Sequence, residues 1–103
     1  MSYISQRYSV LVIGMIDQIK MFRCITDYGL KESKMAVEFF IEMMGLESSA
    51  EHSSYYFYTR ESVIKFAQFS GLFARGLLEV TDDGIFPVAP TKLSPQDVLE
   101  MIK

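Results

Sequence analysis

Cys24 and His52 are the only thiol and the only imidazole in the chain, so nucleophile-and-base chemistry would have to be built from them. A general base needs a nucleophile and an orienting group within hydrogen-bond reach. His52 lies in the polar run Glu47-Ser48-Ser49-Ala50-Glu51-His52-Ser53-Ser54, which specifies neither, and it reads as a surface histidine. Cys24 falls among apolar residues in a helical pattern and reads as a small buried hydrophobe rather than a reactive thiol. It has no second cysteine with which to make a disulfide or a zinc site. Asp82-Asp83-Gly84 lacks the alternating oxygen ligands of a calcium loop and reads as a tight turn, and Gly14, Gly29 and Gly45 have no phosphate-binding spacing. The expectation is a non-enzymatic protein with no metal and no cofactor.

The other chemistry on offer is recognition. Lys20, Arg23, Lys31 and Lys34 cluster in an otherwise acidic chain with a formal net charge of -3 and a pI near 5.0. Such a balance gives no basic field for collecting phosphates, which argues against nucleic acid as a direct partner. A local basic face on an acidic molecule suits an acidic protein partner; the same cations equally fit the plain solvated side of two helices. Pairing with Glu32 and Glu38 would add only about 0.3–0.5 kcal/mol per pair.

The elements that must position these residues follow from periodicity. With 103 residues, 50% hydrophobic and 22% charged, the chain fits one domain, with a core over about residues 7–83 and an extension over about 84–103. Tyr8-Ser9-Val10-Leu11-Val12-Ile13 reads as a strand over about 7–13, stopping at Gly14. From Met15 the pattern turns helical, with Met15, Ile19, Phe22 and Ile25 as the apolar stripe and an end near Asp27. Gly29 is expected to supply the left-handed residue that closes this helix. A second helix runs from about Leu30 to Gly45, with Val37, Phe40, Ile41 and Met44 facing the core and Met35, Phe39 and Met43 widening the apolar surface. Tyr55-Tyr56-Phe57-Tyr58 reads as a second strand, and Thr59 caps a third helix carrying Val63, Phe66, Ala67, Phe69, Leu72 and Phe73 up to Gly76. Leu77 to Thr81 is a third strand, and Ile85 to Val88 returns as an edge strand because Pro87 forbids a central one. Ser94 and Pro95 open a short helix in which Val98, Leu99 and Ile102 face inward or toward a partner.

This order, β-α-α-β-α-β, together with Ile19-Lys20, Arg23, Thr26, Gly29-Leu30-Lys31-Glu32, Lys34 and Val37-Glu38, resembles the C-terminal domain of the bacterial ribosomal stalk protein L7/L12. The protease adaptor ClpS shares that fold, although none of its local sequence features are present. The resemblance spans roughly residues 9–81 and is sharp over 19–38. It implies an α+β fold: a three-stranded antiparallel sheet packed on three helices, here with an added C-terminal hairpin strand or short helix. It also implies protein binding through the first two helices. Arg23, Lys31 and Lys34 match family positions on the contact surface, Gly29 matches the glycine that sets the interhelical angle, and Ile16 and Gln18 lie nearby. The first turn, Met15-Ile16-Asp17-Gln18, departs from the family's lysine and small apolar residues. The chain also starts only a few residues before its first strand, without the stalk's dimerisation segment and hinge, so the expectation is a free-standing unit.

Asp17, Lys20 and Arg23 interrupt the central apolar stretches before they reach the length of about 18–20 that a membrane helix needs, and the start lacks a signal-peptide order. A lone cysteine fits a reducing compartment, so the expected location is cytoplasmic. Eight Phe, six Tyr and seven Met exceed an obvious core. Some of Tyr55, Tyr56, Tyr58, Phe39 and Phe86 are therefore expected to form an apolar patch. Two functions follow: a module that recruits or inhibits a cellular protein machine, as a viral or accessory protein would, or a homo-oligomer assembled through the aromatic surface and the tail from Ile85 to Ile102.

Overall fold

The computed structural model describes residues 10–49, 54–87 and 95–102. The chain runs β1 (Val10–Gly14), α1 (Met15–Thr26), α2 (Leu30–Met44), β2 (Tyr55–Thr59), α3 (Arg60–Ala74), β3 (Leu78–Thr81), β4 (Gly84–Pro87) and α4 (Pro95–Met101). His52, Ser94 and the start of the first expected strand lie outside the described residues.

The expected order of elements is present, but the three-stranded sheet is not. Two separate antiparallel pairs form instead, β1 with β2 and β3 with β4. Closing β3 onto its immediate successor costs little chain entropy: Asp82 and Asp83 make a two-residue turn in which Thr81 pairs with Gly84. The Thr81 hydroxyl donates to the Gly84 carbonyl at 3.1 Å and pins the turn. The β1–β2 ribbon pairs Leu11 with Tyr58, Val12 with Phe57 and Ile13 with Tyr56. Cross-strand partners share a face, so Tyr58, 1% exposed, marks the core side.

The core is mainly aromatic. Phe22, Phe40, Phe66, Phe69, Phe73 and Tyr58 are all buried. Phe40 meets Phe66 and Phe69 meets Phe73 edge-on, with centroids 5.1 and 5.0 Å apart, an arrangement ring quadrupoles favour, while Phe40 stacks on Tyr58 at 6.3 Å. This absorbs much of the aromatic supply. Of the expected patch, Tyr58 is inside, Tyr56, Phe39 and Phe86 are half-buried, and Tyr55 is exposed. The stripe on α1 is also narrower than expected, since Ile25 is 41% exposed.

Helix ends show which residues the backbone needs. Gly45 and Gly76 close α2 and α3 with φ of 66° and 75°, as expected. Gly29 does not close α1. Asp27 is the left-handed residue, with φ 65°, and its N–H donates to the Arg23 carbonyl at 2.7 Å. Gly29, at φ -70° and ψ 174°, is instead the N-cap of α2. Asp is among the few non-glycine residues that accept this conformation, because its short polar side chain bonds locally.

Thr59 caps α3 in a reciprocal box: Ser62 N–H donates to the Thr59 hydroxyl at 3.1 Å, and Thr59 N–H donates to the Ser62 hydroxyl at 2.8 Å. Thr59→Ala is expected to lower stability by about 1 kcal/mol in urea denaturation. An unchanged midpoint would mean that the box contributes nothing.

Candidate protein-binding surface

Ile16, Lys20 and Arg23 recur on α1 at i, i+4 and i+7, which is one stripe of a helix with 3.6 residues per turn. All three are exposed, Ile16 at 67%. The opposite arc holds Gln18, Ile19 and Phe22 against the core. At the C-terminal end of the stripe an open groove of about 450 Å³ is lined by Lys20, Arg23, Cys24, Asp27, Tyr28 and Gly29. A second depression of about 250 Å³ lies at the other end, where Met15, Ile16 and Asp17 meet Ser54 and Tyr55.

The expected contact residues therefore divide. Arg23 and Gly29 share the groove, while Ile16 belongs to the other depression. Lys34 is exposed on α2. The Lys31 ammonium lies 3.4 Å from an Asp82 carboxylate oxygen, with the two side chains 74% and 92% exposed. This ion pair ties α2 to the β3–β4 turn in place of the expected neighbour Glu32. Exposed pairs of this kind contribute about 0–1 kcal/mol.

Gln18 has no place on a contact surface. It is 1% exposed and its side-chain oxygen accepts from the Tyr58 hydroxyl. The physical reason is the wheel position, beside Ile19 and one turn before Phe22. Cys24 is also corrected, in the other direction: it is exposed and lines the groove. Its spacing with Lys20 and Asp27, i−4 and i+3, was the available signal that it shares their face. Tyr28 stacks on Phe22, with centroids 6.0 Å apart and planes 8° apart. Burial, then the nearby Glu79 charge, pushes its phenol pKa up, and a backbone hydrogen bond with Val80 partly offsets this.

No family model, curated protein or solved structure matches the chain. Lys20 and Arg23 present fixed positive charge at the rim of an open groove whose lining includes a tyrosine ring and one carboxylate. That arrangement suits an acidic side chain or a terminal carboxylate presented by a protein, since charge-assisted hydrogen bonds to carboxylates are the strong ones. Among the described residues no group of three or more metal-ligating side chains occurs. No described helix is long and apolar enough to cross a membrane.

The described end of the tail packs within this chain. Val98 and Ile102 are 0% and 3% exposed, and α4 packs on α2. Those two side chains serve this chain's own core, which takes them away from the oligomer reading.

Proposed function

We propose that this protein is a non-enzymatic cytoplasmic interaction module that recruits or inhibits a protein machine by docking an acidic segment on the exposed face of α1 and α2. One observation carries the reading: Lys20 and Arg23 on α1 converge with the α1–α2 turn at Gly29 on a single open groove. The resemblance to the ribosomal stalk domain supports the same face, through Arg23, Lys31 and Lys34. Ile16, exposed on the same stripe, supplies an apolar anchor beyond the charged rim. The charges steer the partner, and apolar contact holds it.

Arg23→Glu combined with Lys34→Glu is expected to reduce partner recovery at least tenfold in affinity capture from the native cell, with an unchanged melting temperature. Raising the salt should weaken wild-type capture as well, because exposed charges are screened. Lys31 is a poorer probe, since reversing it also sets two acids against each other at Asp82. Undiminished capture by the double variant would remove this face from the interface.

A further inference from the structure

The β1–β2 ribbon has two edges, and they are treated differently. On the β2 side, Phe57 N–H donates to the Glu47 carbonyl at 3.0 Å and Ser49 N–H donates to the Tyr55 carbonyl at 2.7 Å, so the segment 47–49 covers that edge. Ser48 forms an isolated bridge with Tyr56. This fixes the alternation. Backbone groups of Tyr55 and Phe57 point away from β1, so those of Tyr56 and Tyr58 point toward it and bond Ile13 and Leu11. Met15 N–H continues the same ladder to the Ser54 carbonyl at 2.7 Å.

It follows that the N–H and C=O of Val12 point out of the ribbon, on the side opposite β2. Among the described residues nothing pairs with them. β1 reads Val-Leu-Val-Ile-Gly and carries none of the devices that block an edge: no charge, no proline and no bulge. Its side chains are also uncovered at this edge, with Leu11 47% and Val12 54% exposed, and Ile16 follows at 67%.

We propose that β1 is a homodimerisation edge, with two copies joined antiparallel about a two-fold axis at Val12 to form the sheet β2-β1-β1-β2. An open edge demands an extended, uncharged apolar strand, and β1 is itself one. The two-fold sets Val12 opposite the partner's Val12 as a hydrogen-bonded pair, using the outward N–H and C=O of that residue on each chain. Leu11 comes opposite the partner's Ile13, and Val10 opposite the partner's Gly14. One operation satisfies both edges at once, and no like charges meet because the strand has none.

The contact is small. A five-residue edge and its flanking side chains remove on the order of 800–1,000 Å² in total, the low end for specific interfaces. The expected dissociation constant is therefore on the order of tens of micromolar.

The test is sedimentation velocity of the full chain from about 5 to about 500 µM, a range that brackets this constant. The wild type should pass from monomer to dimer across the range. Val12→Lys should remain monomeric with unchanged far-UV circular dichroism, and Val12→Ile should dimerise. Hydrogen exchange on the wild type gives a reading that needs no variant: the Val12 amide should become protected as concentration rises. A wild type that stays monomeric throughout, a Val12→Lys protein that still dimerises, or a Val12 amide that exchanges equally fast at both ends of the range would each overturn the proposal.

Discussion

Phe22→Ala is expected to cost about 3–5 kcal/mol, a large part of the roughly 5–15 kcal/mol that keeps a typical domain folded. Phe22 is 0% exposed. Its ring lies against Tyr28 from the α1–α2 turn and against Phe69 and Phe73 from α3, with centroids 6.0, 6.2 and 5.1 Å away. Truncation therefore opens a cavity where three elements meet, and none can collapse into it without abandoning the other two. Urea denaturation would read the effect as a large fall in midpoint with the slope preserved. Phe22→Leu should cost less than half as much. A loss below about 1 kcal/mol for the alanine variant would show that the ring cluster does not hold the helices together.

The second large effect comes from a buried polar contact. Gln18 and Tyr58 are each 1% exposed, and the Tyr58 hydroxyl donates to the Gln18 side-chain oxygen. Among the described residues the Gln18 Nε2 has no hydrogen-bond partner. Tyr58→Phe would leave the whole carboxamide buried and unsatisfied, at a cost of about 1–3 kcal/mol. Adding Gln18→Met should recover most of that loss, because an unpaired amide costs more than two well-packed apolar side chains. Equal additive losses from the two substitutions would disprove the coupling.

The same site makes stability pH-dependent. Burial first, and the neighbouring Tyr56 second, push the Tyr58 phenol well above its ordinary value of 10.0. Tyr28 is shifted in the same direction, by burial and then by Glu79. In the unfolded chain both would ionise near pH 10, whereas the folded state keeps them protonated. Above that pH the unfolded state binds fewer protons, so stability is fully retained below about pH 10 and falls as the pH rises beyond it. Melting temperatures measured from about pH 9 to 11 should decline, and the decline should be shallower in Tyr58→Phe.

Much of this arrangement was legible in residue spacing. Val37, Phe40 and Ile41 fall on the buried face of α2, Thr59 caps α3, and Asp82-Asp83-Gly84 turns β3 into β4. Polarity misled where it was allowed to outrank position. Gln18 is buried because it sits at core spacing, four residues before Phe22. Cys24 failed in the opposite sense, because apolar neighbours in sequence are not neighbours around a helix. Of the strand partnerships, the residues announced the β3–β4 hairpin but not the separation of the two ribbons. The β3–β4 pairing closes over two residues at little cost in chain entropy, whereas no residue of β3 signals whether its other edge joins β1. The groove depended on Asp27 accepting a left-handed backbone, a role that composition assigned to Gly29.

The pairing of Val10 with Thr59 also sets a timetable. The β3–β4 hairpin closes over two residues and forms in about 1–10 µs once made. The first ribbon must wait until α1, α2 and β2 have all been synthesised. At about 5–20 residues per second, the stretch from Gly14 to Thr59 takes about 2–9 s to translate. For that interval Val10-Leu11-Val12-Ile13 is an uncharged, β-prone segment without its native partner, the kind that aggregates when chains are crowded. Codons or chaperones acting between β1 and β2 would therefore bear on the yield of this protein.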